Sequence, residues 1–218
     1  MIVYNRGKVG FLLVFDMDGT LIDSEQSIVR CFRESAGKFG YDVGDISQYI
    51  GVLKLTQILT KHGVLAKDLP EVMKNYRDCY LRTFASDTKP IGNSPFVLKQ
   101  LQEKNELGIL TLKNLELTLE LTKRYFPGVD FRYIVCGDRP IENKVEGLKI
   151  IMEKSGKDPD HTFYIGDRAS DVMSAKEVGI EPIWVSFGLG KISDFDSGTD
   201  FRIVNSFDDL LEMFSSRT

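Results

Sequence analysis

The chain has 218 residues, more than the roughly 150 of a common single domain and fewer than two such domains. Hydrophobic residues at 42% and charged residues at 28% exclude a disordered or fibrous chain and leave enough apolar material for a sizeable core. Twenty-eight basic against thirty-two acidic residues give a net charge of −4 with no basic block, which argues against phosphate-backbone binding of nucleic acid. The stretch from Val9 to Phe15, bounded by Lys8 and Asp16, is too short to span a bilayer and has no cleavage signal after it. Cys31, Cys79 and Cys136 are odd in number, far apart and without metal-ligand spacing. Reduced thiols in a soluble, cytoplasmic protein are therefore expected.

In chain order, the first predicted element is a strand, Phe11 to Phe15, ending at Asp16-Met17-Asp18-Gly19-Thr20. Two carboxylates two residues apart, followed by glycine, can turn sharply into one crevice and suit a hard cation with oxygen ligands. An ordinary polar turn is the plainer reading of the same residues. The next predicted strand, Leu107 to Leu110, begins about ninety residues later, although a parallel crossover needs only a dozen or more. The excess reads as helices. Asp23 and Gln26 predict a capped start, Ile28, Phe32, Ala36 and Phe39 recur at helical spacing, and Gly40 closes the element. A second helix carries Leu55, Ile58 and Leu59 and stops at Gly63, and a third runs from about Pro70 to Phe84. Residues 21–88 are accordingly expected to form a helical insertion, with 1–20 and 89–218 building an α/β core.

After the insertion the pattern alternates. Helical stretches at Ser94–Glu103, Leu115–Phe126, Val145–Lys154 and Asp171–Val178 separate short apolar runs at Leu107–Leu110, Tyr133–Val135, Thr162–Ile165 and Pro182–Val185. Near-continuous hydrophobicity over four or five residues fits strands buried on both faces, hence an α/β fold with a Rossmann-like parallel sheet. Ligands in such sheets gather beyond the C-terminal strand ends. Asp16, Thr111 and Asp167 all fall there, with Lys144 before one helix and Asp171 at the start of another. Asp171 and Ser170 also suit simple helix capping.

With these residues in view, the chain resembles the haloacid dehalogenase superfamily of aspartate-nucleophile phosphohydrolases, in the helical-cap branch that includes phosphoglycolate phosphatases. Asp16–Thr20 matches the first motif, Thr111 the second, Lys144 the third and Gly166–Asp171 the fourth, and Phe187–Gly190 and Thr199–Leu210 resemble the closing segment. The resemblance implies an HAD-like core with an inserted cap. It further implies a Mg²⁺-dependent phosphatase for a small phosphate monoester such as phosphoglycolate, a sugar phosphate or a nucleotide. Asp16 would form an aspartyl-phosphate, Asp18 would act as acid and base, and Thr111 and Lys144 would hold the phosphoryl group. Mg²⁺ would be held by Asp16, the backbone carbonyl of Asp18 and Asp167, with Asp171 beside it.

Three departures from the motif pattern are Leu112 in place of Asn or Ser, Val145-Glu146 after Lys144, and Arg168 where Ser is frequent. Lys54 falls in the expected cap, where a cation suits an anionic substrate and a solvated lysine fits equally well. It also resembles the imine-forming lysine of phosphonoacetaldehyde hydrolases, but those enzymes lack the second aspartate that Asp18 supplies here. The alternatives are a phosphomutase of the β-phosphoglucomutase type, a phosphonoacetaldehyde-hydrolase-like enzyme using Lys54, and a non-catalytic phosphate-binding regulator. His62 and His161 stand alone, and Gly188-Leu189-Gly190-Lys191 lacks the glycine spacing of a phosphate loop. The expected partner is a small phosphorylated metabolite, with no nucleic acid and no membrane, and the chain a monomer or small homo-oligomer.

Overall fold

The computed structural model describes residues 10–138 and 141–215; Lys8 and Val9, placed beside the first strand above, lie outside them. The chain enters through β1 (Leu12–Phe15) and turns into a two-residue strand β2 (Ile22–Asp23). Helices α1 (Glu25–Gly37), α2 (Leu55–Lys61) and α3 (Leu69–Asp87) follow, and β3 (Lys89–Pro90) returns antiparallel to β2, so both connections to the helices run side by side. Then come α4 (Ser94–Leu101), β4 (Glu106–Thr111), α5 (Leu115–Tyr125), β5 (Phe131–Cys136), α6 (Lys144–Ser155), β6 (Thr162–Gly166), α7 (Ala169–Val178), β7 (Glu181–Val185), β8 (Arg202–Val204) and α8 (Phe207–Ser215).

Six strands form one sheet in the order β5-β4-β1-β6-β7-β8, and every neighbouring pair is parallel. The expected α/β class and parallel sheet are thus present. Leu13 and Phe15 enter one core cluster while Leu12 and Val14 enter the other, so side-chain alternation feeds apolar layers on both faces. That is why β1 reads as an unbroken apolar run and not as an alternating one. The strand β8 is absent from the sequence reading because it lies at the sheet's edge, where Arg202 and Ile203 are exposed.

Local chemistry sets the helix ends. Asn114 and Asn143 accept hydrogen bonds from Leu117 N and Glu146 N at the starts of α5 and α6, and Gly179 at φ +81° ends α7 in the left-handed region. Asp23 does not cap α1. It lies in β2 with Oδ2 3.5 Å from Lys89 Nζ, and Ser24 takes the capping position without a capping bond because its hydroxyl is engaged elsewhere. The expectation of reduced thiols is overturned for two cysteines: Cys31 on α1 and Cys79 on α3 form a disulfide, their Cα atoms 5.6 Å apart. Forty-eight residues of separation carry no pairing signal; the packing of α1 against α3 brings the sulfurs together. Among the described residues, no helix is long and apolar enough to cross a membrane.

Candidate active site

The strand β1 lies between β4 and β6, where the strand order reverses direction and a crevice opens beyond the C-terminal ends. Asp16 follows β1, Thr111 ends β4 and Asp167 follows β6, which puts three residues from distant parts of the sequence on adjacent strand ends. Asp16 N donates to Ile165 O at 2.9 Å, which extends the ladder up to the turn. Gly19 then adopts φ +83°, and a Cβ there would sit 2.5 Å from Asp167 Oδ2. Only glycine fits this turn, for backbone conformation and for space. Thr20 Oγ1 donates to Asp167 Oδ1 at 3.1 Å and joins the two loops.

Carboxylates crowd the centre. Oxygens of Asp16, Asp167 and Asp171 lie within 4.8 Å of one another, and all three residues are buried. Lys144, from the start of α6, places Nζ 3.0 Å from Asp16 Oδ2 and donates to Asp171 Oδ1 at 2.5 Å. Tyr164 Oη also donates to Asp171 Oδ1, at 3.1 Å, and Asp171 Oδ2 accepts Arg168 N at 3.0 Å. Asp167 Oδ2 accepts Leu189 N at 2.7 Å. Burial raises the Asp16 carboxyl well above the usual carboxylate range; the Lys144 charge opposes this, and Asp171, Asp167 and Asp18 reinforce it. Burial and then Asp171 push Asp167 up to about 6. Burial works to lower Lys144, but Asp16 and Asp171 outweigh it and hold the ammonium protonated.

Three buried carboxylates against one centrally placed ammonium leave negative charge to be neutralised, and Asp16 Oδ2 is buried with no aligned hydrogen-bond donor. An all-oxygen donor set of this kind fits Mg²⁺. The Asp18 carboxylate is not among the three. Its Oδ1 accepts Ser24 Oγ at 2.6 Å and lies 3.1 Å from Lys113 Nζ, whose ammonium stands 4.4 Å from the centre of the Tyr80 ring. Thr111 is buried, and its Oγ1 accepts Lys113 N at 3.2 Å.

Lys54 is brought to a different place from the buried cluster. It lines a cavity of about 510 Å³ between the inserted helices and the β4 end, together with Asp18 and Lys113, and has no ion-pair partner among the described residues. Asp16, Thr111, Lys144, Asp167 and Asp171 do not line that cavity. Arg168 Nη2 donates to Ser47 O at 2.7 Å and ties the start of α7 to the loop after α1. In the same region a Cβ on Gly51 would stand 3.6 Å from Asp16 Oδ2, so the inserted segment closes over the Asp16 carboxylate.

Sequence reasoning missed Lys113, Ser24, Tyr164 and the backbone of Leu189. Lys113 stands two residues beyond Thr111 and Ser24 one residue after β2, both close to motif residues, which is the signal that could have drawn attention to them. The pairing of Tyr164 with Asp171 needed the tertiary structure. Gly188 drew notice as part of the closing segment and as a failed phosphate loop, not for packing; a Cβ there would meet Asp167 Cβ at 2.2 Å and Gly19 O at 2.4 Å, so its smallness lets the β7 loop pack on the cluster.

Likeness to known proteins decides the lineage: residues 13–185 match the family described as haloacid dehalogenase-like hydrolase. The chain belongs to that family. It is a hydrolase of the phosphatase type, and phosphoglycolate phosphatases are among its relatives. It is 27% identical to a phosphoglycolate phosphatase of Aquifex aeolicus over 93% of this chain and 99% of that one. It is 29% identical to the tyrosine-protein kinase PtkA of Mycobacterium tuberculosis, over 94% of this chain and 73% of that one. Among solved structures, a haloacid dehalogenase-like hydrolase of Bacteroides fragilis superposes with a TM-score of 0.82 at 23% identity, covering 92% of this chain and 99% of the other. At that identity the likeness speaks for the fold.

Proposed function

We propose that this enzyme is a Mg²⁺-dependent phosphatase that hydrolyses a small phosphate monoester through an aspartyl-phosphate on Asp16. The observation that carries the reading is the placement of Asp16 at the end of the central strand, within 4.8 Å of the Asp167 and Asp171 oxygens and sharing the Lys144 ammonium with Asp171, with Asp18 two residues on. A carboxylate attacking an anionic phosphate needs positive charge around it. Asp16, Asp167 and Asp171 would hold Mg²⁺, which when bound supplies Lewis-acid neutralisation of the phosphoryl oxygens.

This chain's residues do the rest. The Asp16 carboxylate attacks phosphorus, the ester P–O bond breaks, and Asp18 delivers its proton to the departing alkoxide. Asp18 then takes a proton from the water that attacks the acyl phosphate, which releases inorganic phosphate and restores Asp16. Lys113 and Ser24 hold the Asp18 carboxylate in one orientation at 3.1 and 2.6 Å. Thr111 and Lys144 steady the phosphoryl oxygens as charge moves between them. Residues 21–88 act as a cap that excludes bulk water, with Arg168 as a tie between cap and core.

The test is release of inorganic phosphate from a panel of phosphorylated metabolites with Mg²⁺, for the wild type and Asp16→Asn. The wild type is expected to release phosphate from at least one monoester. The variant is expected to fold normally and lose at least a thousandfold in kcat; an active variant would refute the nucleophile. Isomerisation of glucose 1-phosphate without phosphate release would select the phosphomutase reading instead.

A further inference from the structure

Resting on the phosphatase reading, a second question is which alcohol the phosphate is attached to, and the cavity beside Asp18 bears on it. The acid that protonates the leaving oxygen must touch the leaving group, so the alcohol portion belongs in whatever space adjoins Asp18. That space is the cavity of about 510 Å³ between the inserted helices and the loop after β4. Its walls are mostly aliphatic: Ile50, Leu53, Leu69, Met73, Leu112 and Leu117 are among the lining side chains. Leu53, Leu69, Met73 and Leu112 are only half-buried although they sit in an interior cleft. They present apolar surface that the protein itself does not cover.

Most polar groups of the cavity are already committed or reach solvent; the exception is the buried Tyr76 Oη, which has no hydrogen-bond partner and can meet a single substrate oxygen. The two buried ionisable groups, Asp18 and Lys113, engage each other at 3.1 Å. Asp138 is exposed and accepts Leu115 N at 3.1 Å, and Lys54 and Arg77 are partly exposed, so that their heads can stay hydrated. A two-carbon carboxylate such as glycolate would fill little of this volume and would find no uncommitted buried cation. A polyhydroxylated sugar would set several hydroxyls against leucine and methionine, and each hydroxyl buried without a partner is unfavourable. An apolar cavity of about 150 Å³ takes a benzene ring, so this one has room for a two-ring system or a chain of six or more carbons.

We infer that the cavity beside Asp18 receives a bulky, apolar alcohol portion, and that the preferred substrates are phosphate monoesters of hydrophobic alcohols and not those of hydroxy acids or sugars. Leu112 contributes directly: the hydrocarbon beside Thr111 extends the apolar wall next to the phosphoryl position, where an amide or hydroxyl would have extended the polar one.

The experiment uses the full chain with Mg²⁺ and a series of primary alkyl phosphates whose leaving groups have equal basicity: ethyl, butyl, hexyl and 2-naphthylethyl phosphate, with phosphoglycolate and glucose 6-phosphate for comparison. Full burial of one methylene is worth up to about fourfold, so kcat/KM is expected to rise at least tenfold from ethyl to hexyl phosphate. Met73→Asp is expected to reduce that hexyl-to-ethyl ratio at least fivefold. Calorimetric binding of hexylphosphonate against ethylphosphonate gives a readout independent of turnover, with the longer ligand expected to bind at least tenfold more tightly. If short and long esters are hydrolysed equally, or phosphoglycolate is preferred, the apolar-alcohol assignment falls while the phosphatase reading stands. If no monoester is hydrolysed but hexylphosphonate still binds more tightly, the cavity assignment stands and the phosphatase reading falls.

Discussion

Replacing Lys144 by methionine removes an ammonium that touches two members of the carboxylate cluster. Its Nζ lies 3.0 Å from Asp16 and 2.5 Å from Asp171, and the three side chains are 4%, 1% and 1% exposed. Methionine keeps the length and apolar stem but leaves the carboxylates without that charge. Removing one partner of a buried ion pair costs about 3–5 kcal/mol, and proton uptake by the cluster limits the loss. At roughly 2–4 °C per kcal/mol for a chain of this size, the metal-free variant should melt about 10 °C below the wild type. Mg²⁺ at a hundred times its Kd returns about 2.7 kcal/mol to any protein that binds it only when folded. The ion no longer meets a repelling ammonium, so the Mg²⁺-induced rise in Tm should be larger in Lys144→Met than in the wild type. Phosphate release should fall at least a hundredfold in the same protein. Scanning calorimetry in EDTA and in millimolar Mg²⁺ makes the measurement. Equal melting of the two proteins in EDTA, or an equal Mg²⁺ increment, would refute the charge balance described for this site.

Two further outcomes follow from the same geometry. In EDTA, Asp167 keeps its proton in the folded state up to about pH 6, whereas the unfolded chain loses it near 3.8. Its contribution to stability therefore declines as pH rises from 4 to 6, by about 3 kcal/mol across the window at 1.36 kcal/mol per unit. Denaturant midpoints for the wild type and Asp167→Asn should diverge over that range and run parallel above it; parallel curves throughout would rule out the raised carboxyl. Arg168→Ala removes the 2.7 Å bond to Ser47 O, so amide exchange in residues 45–54 should quicken while the sheet stays protected, and KM should rise. Unchanged exchange there would show that Arg168 does not hold the inserted segment.

The site was more legible than its support. Asp16, Thr111, Lys144, Asp167 and Asp171 each announced themselves as a polar residue next to an apolar run or a helix start. The structure places the three aspartates and Lys144 in one buried cluster and Thr111 on the adjacent strand end. Lys113 did not stand out because an isolated lysine in a loop normally means solvent, and its burial against Asp18 and the Tyr80 ring comes from α3 folding back over it. Asp23 misled for a similar reason. It has the right composition for a cap, but the return strand β3 claims it, and a two-residue strand has too little sequence to be seen.

The 218 residues set the α/β alternation, the helical excess after the first strand and the chemical kinds at the strand ends, because each depends on neighbours within a turn or two of chain. Three things waited on tertiary structure: the Cys31–Cys79 disulfide, the closing of Gly51 over Asp16 with Arg168 bonded to Ser47, and the apolar lining beside Asp18. All three join residues far apart in the chain. Whether such residues meet depends on how α1, α2 and α3 pack on one another and on the sheet, and no local periodicity encodes that distance. The extra length that composition left unexplained is the helical insertion, which forms one wall of the cavity next to the proposed acid.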